Sequence, residues 1–345
     1  MSYKKILVIQ TAFPGDLILT TPLLTAVKNY YPESSLAVLV TPQTQELLGN
    51  NPHLNQVIVY DKKRGGAGEF LSVVRKLKAE KFDLALTPHR SFRSALLAHL
   101  SCPKRVGFDT SAGSFLFTNI IKYQNDKHEI ERNLSLLNFT GLNPEAGRPE
   151  IYPAPEDFTR TEVWLKRYGM SFDNEIVCIA PGSIWATKRW LPEGFAQVAD
   201  WLAMTGRHKV VLIGSTSDAE LAEEISTRSS SRPANACGKL SWLESAALIS
   251  KSKAVLSNDS APMHLAVAMK TPVVAIFGST VPEFGFYPFG KRNQIVQKEL
   301  YCRPCGIHGK KRCPEGHFRC MSEISADEVC QALSKILNER EASAK

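Results

Sequence analysis

Two series of short apolar runs, each run followed by an amphipathic stretch, flank a proline-rich segment. This alternation restricts the chain to a few architectures. In the first series Lys5 to Gln10, Leu36 to Val40, Val57 to Tyr60 and Phe82 to Leu86 read as strands, and Pro22 to Tyr31, Phe70 to Glu80, Ser91 to Leu100 and Glu129 to Phe139 read as helices with apolar residues three and four apart. Near-continuous apolar strands alternating with helices predict a parallel sheet covered on both faces. The segment Asn143 to Asp157 carries four prolines and little periodicity, which marks a linker. The pattern then restarts with strands at Ile176 to Ala180, Lys209 to Ile213, Ala254 to Ser257 and Val273 to Phe277. Helices are expected over Pro192–Thr205, Asp218–Arg228, Leu243–Lys251, Pro262–Met269 and Asp327–Arg340.

A chain of 345 residues accommodates two such α/β units, expected over 1–155 and 156–345 with a Cys-rich loop at 301–321. Doubly wound units bind ligands at the carboxyl ends of their strands, so a cleft between two such edges is the expected site. With 43% apolar and 22% charged residues, bulk disorder and fibrous classes are excluded. Lys and Arg exceed Asp and Glu by 42 to 34, an excess that fits an anionic substrate, a phospholipid surface or nucleic acid without choosing among them.

Lys4-Lys5 and the apolar Ile6–Ile9 imitate a signal peptide, but Gln10 and Pro14-Gly15-Asp16 break the run too early. No apolar stretch is long enough to span a bilayer. Cys102, Cys178 and Cys237 are scattered as reduced buried thiols would be, so a cytoplasmic location is expected.

Several nucleotide signatures are missing. There is no G-x-G-x-x-G after the first strand, no P-loop, no G-x-S-x-G elbow and no Asp-x-Asp pair to carry a metal on a sugar diphosphate. Gly65 to Gly68 reads as a mobile surface loop beside Lys62-Lys63-Arg64. A nucleotide sugar would therefore need cationic side chains and helix ends to neutralise its leaving group.

Four strand-to-helix turns remain. In Thr11-Ala12-Phe13-Pro14-Gly15-Asp16, ahead of a helix expected near Thr20, Asp16 is either a helix cap or a general base for a sugar hydroxyl. In Pro181 to Trp190, small residues at 182 and 183 admit a phosphate close to the backbone. There Lys188 supplies a charge, unless Lys188-Arg189 is a solvated pair. In Ser257 to His264, Asp259 or Ser260 can cap a helix whose N–H groups would meet an anion. His264 is either a phosphate donor or a core residue. In Ile213 to Asp218, Asp218 is either a ribose ligand or an N-cap.

These motifs, with Thr87 to Ser94, His128 to Asn133 and the terminal cysteines, resemble the family-9 glycosyltransferases, in particular the ADP-heptose:lipopolysaccharide heptosyltransferases of the heptosyltransferase II type. The resemblance spans nearly the whole chain. It implies a GT-B fold of two Rossmann-like domains, the first binding acceptor and the second donor. It also implies a metal-independent, inverting transfer of heptose from ADP-heptose to an inner-core sugar. By the same resemblance Asp16 is the base and Lys188 the diphosphate-binding lysine. Asp259, Ser260, Ala261 and His264 form the donor loop, and Ser183, Asp218 and Leu240 lie near phosphates, ribose and adenine. Thr187 and Met263 fall within the same motifs and are counted as donor-binding. Ala261-Pro262 stands where many members carry Gly and another residue.

The acceptor would be a phosphorylated glycolipid. Residues 1–150 hold 18 Lys and Arg against 13 Asp and Glu, and Arg90 and Arg93 are the candidates to pair with acceptor carboxylates or phosphates. Lys62, Lys63, Arg64, Lys104 and Arg105 are ordinary surface charge or a contribution to the same field. Peripheral contact with the cytoplasmic face of the inner membrane is expected, and no nucleic-acid partner. Cys302, Cys305, Cys313 and Cys320 form C-x2-C-x7-C-x6-C. They read either as a structural zinc site, with His308 and His317 as alternative ligands, or as reduced thiols that only pack. The loop lies far from the other motifs in sequence and is expected away from the site; no cofactor is required for catalysis. The rival readings are a family-9 transferase with another sugar or a protein acceptor, and a non-enzymatic basic zinc-binding module on nucleic acid. The module lacks Cys2His2 spacing and an RNA-binding aromatic signature.

Overall fold

The strands form because their residues are buried on both faces. Ile6 to Ile9, Leu36 to Val40 and Val273 to Phe277 are almost completely enclosed, which a parallel sheet between two helix layers requires. The computed structural model describes residues 3–63 and 65–342, so Arg64 of the basic run and the outermost residues of both expected domains lie outside the described residues.

The chain divides after Tyr152 into two compact units. The first runs β1 (Lys5–Ile9), α1 (Pro14–Tyr30), β2 (Ser35–Val40), β3 (Gln56–Val59), α2 (Gly66–Glu80), β4 (Leu84–Thr87), α3 (Phe92–Ser101), β5 (Lys104–Phe108), β6 (Asn119–Ile121) and α4 (Glu129–Ser135). Its parallel sheet has the order β3-β2-β1-β4-β5-β6. The second runs α5 (Pro155–Lys166), β7 (Glu175–Ala180), α6 (Pro192–Met204), β8 (His208–Leu212), α7 (Ala219–Arg228), β9 (Ala234–Asn235), α8 (Trp242–Lys251), β10 (Ala254–Asn258), α9 (Ala261–Ala268), β11 (Val273–Phe277), β12 (Gln294–Gln297), α10 (Arg319–Ser322) and α11 (Ala326–Ala342). Its order, β12-β11-β10-β7-β8-β9, repeats the first topology. Strand order reverses between β1 and β4 in one sheet and between β7 and β10 in the other, and loops at those points form the crevice where such folds hold ligands.

Several local expectations are corrected. Helix α1 starts at Pro14 rather than near Thr20, with Phe13 as N-cap and Pro14 in the first turn, where its missing N–H costs nothing. Pro22 therefore sits inside the helix. The Ile18 carbonyl it leaves unbonded accepts instead from the Thr21 hydroxyl at 2.8 Å, and the helix continues. Gly66 to Gly68 open α2 rather than a mobile loop. Strand β5 hides in Lys104-Arg105-Val106-Gly107-Phe108, whose charged start reads as surface. There a Cβ at Gly107 would fall 2.2 Å from the Phe117 ring, so only glycine fits. The unexpected strands β6, β9 and β12 are short and all three are edges, with too few apolar residues to register. Helix α5 begins inside the expected linker, its first turn closed by Asp157, whose Oδ2 accepts from the Ala154 amide at 2.8 Å. Among the described residues no helix is long and apolar enough to cross a membrane.

Candidate active site

In the second unit, one buried amide assembles the site. Asn258, at the end of β10, donates from Nδ2 to the Pro181 carbonyl at 2.7 Å and accepts from the Trp190 amide at 3.0 Å. Both ends of the loop after β7 are thereby clamped to β10, across the point where strand order reverses. Arg189 folds the loop inward by donating to the Ser183 carbonyl at 2.7 Å. Trp190 is buried, its indole donating to the Ile324 carbonyl at 3.1 Å, so it anchors the loop to the core rather than facing a ligand.

This clamp sets Lys188 beside Asp259, Nζ to Oδ2 at 2.6 Å, with both side chains largely buried. Thr280, three residues beyond β11, donates to the same oxygen at 2.6 Å. Asp259 is thus held by a cation and a hydroxyl one residue before Ser260, the N-cap of α9, whose side chain caps nothing. Pro262 removes one N–H from the first turn, and the positive end of the helix remains immediately beside the Lys188–Asp259 pair. Ser183 and Thr187 are buried in the same loop.

The other candidates divide. Met263 is fully enclosed and belongs to the core, so a side-chain contact with a donor is ruled out there. His264 is 4% exposed on the same helix. Asp218 precedes α7 without capping it through its side chain; its Oδ2 instead accepts from the Ser215 amide at 2.9 Å and the Ser215 hydroxyl at 2.7 Å, the return half of a capping box begun by Ser215. Its carboxylate also lies against Gly182, where an added Cβ would come within 2.2 Å of Oδ1, so it shares the edge with the Pro181–Ser183 turn. Leu240 is half-buried in the turn before α8.

In the first unit Asp16 occupies the first turn of α1, with Oδ2 accepting from the Phe13 amide at 3.3 Å. Behind it lies a buried polar network that sequence reading missed. Glu129 accepts from the Tyr123 hydroxyl at 2.8 Å and from Arg132 at 3.1 Å, while Arg132 also donates to Tyr123 at 2.8 Å. Burial, and secondarily the Asp16 carboxylate, push the Glu129 carboxyl above the ordinary range. Arg90 stacks on the opposite member of this network, its guanidinium 4.1 Å from the Tyr123 ring centre. The His128–Asn133 motif also has a structural role. His128 caps α4 through the Ile130 amide at 3.2 Å, and Asn133 ties α4 to α1 through the Leu19 carbonyl at 3.2 Å.

At the reversal between β1 and β4, His89 Nδ1 lies 2.9 Å from the Thr11 hydroxyl and 3.0 Å from that of Ser94. Lys62 donates to the Thr11 carbonyl at 2.8 Å. Burial first, then the Lys62 and Arg90 charges, pull His89 down to about 4, so it is neutral near pH 7. Lys62 is lowered by burial and by the Arg93 and Lys63 charges, and the Arg93 charge also opposes the upward push of burial on the Tyr60 phenol. Arg90, Arg93 and Lys62 thus share one edge, whereas Arg105 is spent on the Cys102, Pro103 and Leu116 carbonyls.

In sequence the Cys-rich loop is open to two readings, a structural zinc site or reduced thiols that pack. Among the described residues no three His, Cys, Asp or Glu side chains gather as a metal would require, and Cys320 is buried in the core, its thiol pushed up to about 11 by burial and then by Cys305, Cys313 and Cys302. Against expectation, the loop is not remote. Thr187 donates its amide to the Lys310 carbonyl at 3.1 Å and accepts from the Lys310 amide at 2.7 Å, and the Cys305 amide donates to the Ser279 carbonyl at 2.9 Å. Ser279 and Thr280 went unnoticed, although Gly278-Ser279-Thr280 after an apolar strand is the same small-residue signal as Gly182-Ser183.

Twin parallel sheets of Rossmann order, with a largely buried lysine and a helix N-terminus at the carboxyl edge of the second, are the architecture of the GT-B class. The chain belongs to glycosyltransferase family 9 (heptosyltransferase), whose sequence pattern matches residues 70–317. Lipopolysaccharide heptosyltransferase 3 of Escherichia coli K12 is 29% identical over 96% of this chain and 98% of its own length. A family-9 glycosyl transferase from Veillonella parvula superposes with a TM-score of 0.89 at 25% identity, covering 98% of both chains. The E. coli ADP-heptose lps heptosyltransferase II has the same fold, with a TM-score of 0.81 at 23% identity over 98% of this chain and 99% of its own.

Proposed function

We propose that the protein transfers heptose from ADP-heptose to an inner-core sugar of lipopolysaccharide, with inversion at the anomeric carbon and without a catalytic metal. The observation that carries this reading is the buried Lys188–Asp259–Thr280 array beside the N-terminus of α9, which suits a diphosphate at a strand-order reversal. The activity for which the E. coli relative is named supplies the sugar and the acceptor class.

In this mechanism Asp16 accepts the proton of the acceptor hydroxyl as its oxygen attacks the anomeric carbon. The bond from that carbon to the diphosphate oxygen breaks on the opposite face, and ADP leaves. The transition state resembles an oxocarbenium ion parting from an anion, so cationic groups at the leaving oxygen and a carboxylate at the attacking one both act selectively on it. Lys188, Ser183, Thr187, Ser260 and Ala261 would contact the diphosphate, with Asp259 orienting Lys188. His264, Asp218 and Leu240 would lie along the nucleoside. Arg90 and Arg93 would pair with acceptor carboxylates or phosphates, and peripheral contact with the cytoplasmic face of the inner membrane would present that lipid.

The test is an assay of the purified protein with ADP-heptose against a panel of truncated core lipids. Turnover is expected with one inner-core acceptor, giving a product of inverted anomeric configuration and surviving chelation. Turnover only with another nucleotide sugar, or only with a protein acceptor, would refute the assignment and leave a different family-9 transferase.

A further inference from the structure

The diphosphate reading leaves a charge unaccounted for. Lys188 is already neutralised by Asp259, and Asp259 is held in place by Thr280, so the pair brings no net positive charge to a ligand carrying more than one negative charge. Arg189 gives its Nε to the Ser183 carbonyl, a neutral partner that fixes its place in the loop and leaves its charge uncancelled. A further cation beside Lys188 would add to it.

The Cys-rich segment supplies one. It leaves β12, returns to the core at Cys320 and Met321, and in between is joined to the site by backbone bonds. The Thr187 hydroxyl is the junction: it lies 2.9 Å from the Ser279 hydroxyl and accepts from the Lys310 amide at 2.7 Å. Gly309, at φ +79°, packs so closely that an added Cβ would stand 3.2 Å from Lys188 Cγ, Ser279 Oγ and Thr187 Oγ1 alike. Arg303 secures the segment by donating to the Thr280 carbonyl at 2.7 Å. The main chain of Lys310 is therefore bonded to the residue preceding Lys188, and its ammonium-bearing side chain is exposed.

We infer that the Cys-rich segment is a wall of the donor site and that Lys310 is a second diphosphate-binding cation, the one whose charge Asp259 does not cancel. Resting on the donor reading above, this inference assigns the segment a binding role independent of any metal. Gly309 is the positioning residue, because its lack of a Cβ lets the segment close on Lys188.

The experiment measures binding of ADP and AMP to the full chain by calorimetry for wild type, Lys310→Ala, Lys310→Arg and Gly309→Val. Lys310→Ala is expected to weaken ADP roughly tenfold, the scale of one charge-assisted contact, and AMP much less. Lys310→Arg should restore most of the ADP affinity, and Gly309→Val should weaken ADP with Lys310 intact. Unchanged ADP affinity in Lys310→Ala, or equal losses for ADP and AMP, would overturn the inference while leaving the donor reading in place. A wild-type protein that bound neither nucleotide would remove the donor reading, and this inference with it.

Discussion

The ammonium of Lys188 and the carboxylate of Asp259 lie 2.6 Å apart in a largely buried setting, and each is the other's compensating charge. A pair formed this way holds the loop after β7 beside β10 before any ligand arrives, and under the proposed mechanism it then meets the diphosphate. Replacing Lys188 by Ala strands Asp259 with only the Thr280 hydroxyl, so stability should fall by about 2–4 kcal/mol in denaturant unfolding. Asp259→Asn, which can still accept from Thr280, should cost less. Transfer should drop by about 10²-fold or more in Lys188→Ala, the scale of losing one donor to a developing anion. An unaltered donor KM and kcat in that variant would refute the phosphate role.

Asp16 reaches back to the Phe13 amide, a capping contact that Asn reproduces. Asp16→Asn should therefore melt close to wild type and bind ADP normally, while transfer falls by at least about 10²-fold for want of a base. Unchanged turnover would leave Asp16 with the capping role alone.

The network behind Asp16 separates charge from shape. Arg132 is 2% exposed and satisfies Glu129, Tyr123 and the Gln124 and Asn125 carbonyls. Arg132→Met leaves all four partners short and should destabilise the first unit by about 3–5 kcal/mol. Glu129→Gln keeps acceptors for Tyr123 and Arg132, so its stability loss should be smaller. Its pH–rate profile should nonetheless shift, since the titratable carboxyl that interacts with Asp16 is removed. Superimposable profiles for wild type and Glu129→Gln would show that Glu129 does not influence the base.

His89 gives the pH dependence a sign. Its folded pKa, about 4, lies below the unfolded 6.5, so the unfolded chain binds the proton more readily. This part of the stability is complete above pH 6.5 and is lost as the pH falls towards 4, by at most on the order of 3–4 kcal/mol. His89→Gln should flatten the melting temperature against pH in that window. An equally steep slope in the variant would place the titrating group elsewhere.

Much of the architecture was legible locally. Strands such as Val273–Phe277 announce themselves because burial on both faces demands an uninterrupted apolar run, and the small-residue turns after β1, β7 and β10 mark the edges where ligands bind. Edge strands β6 and β9 escaped because only part of each needs to be apolar, and the start of α1 was misplaced because the Thr21 hydroxyl rescues the carbonyl that Pro22 abandons.

By itself the amino-acid order determined two doubly wound parallel sheets and a family, since periodicity, turn residues and motif spacing are short-range properties of a chain. Which charges cancel was decided only in three dimensions. Lys188 meets Asp259, Tyr123 and Arg132 close on Glu129, and Lys310 bonds to Thr187 from 123 positions away. Pairings of this kind follow from how strand ends and loops converge at the reversal of strand order, and no local pattern encodes that convergence.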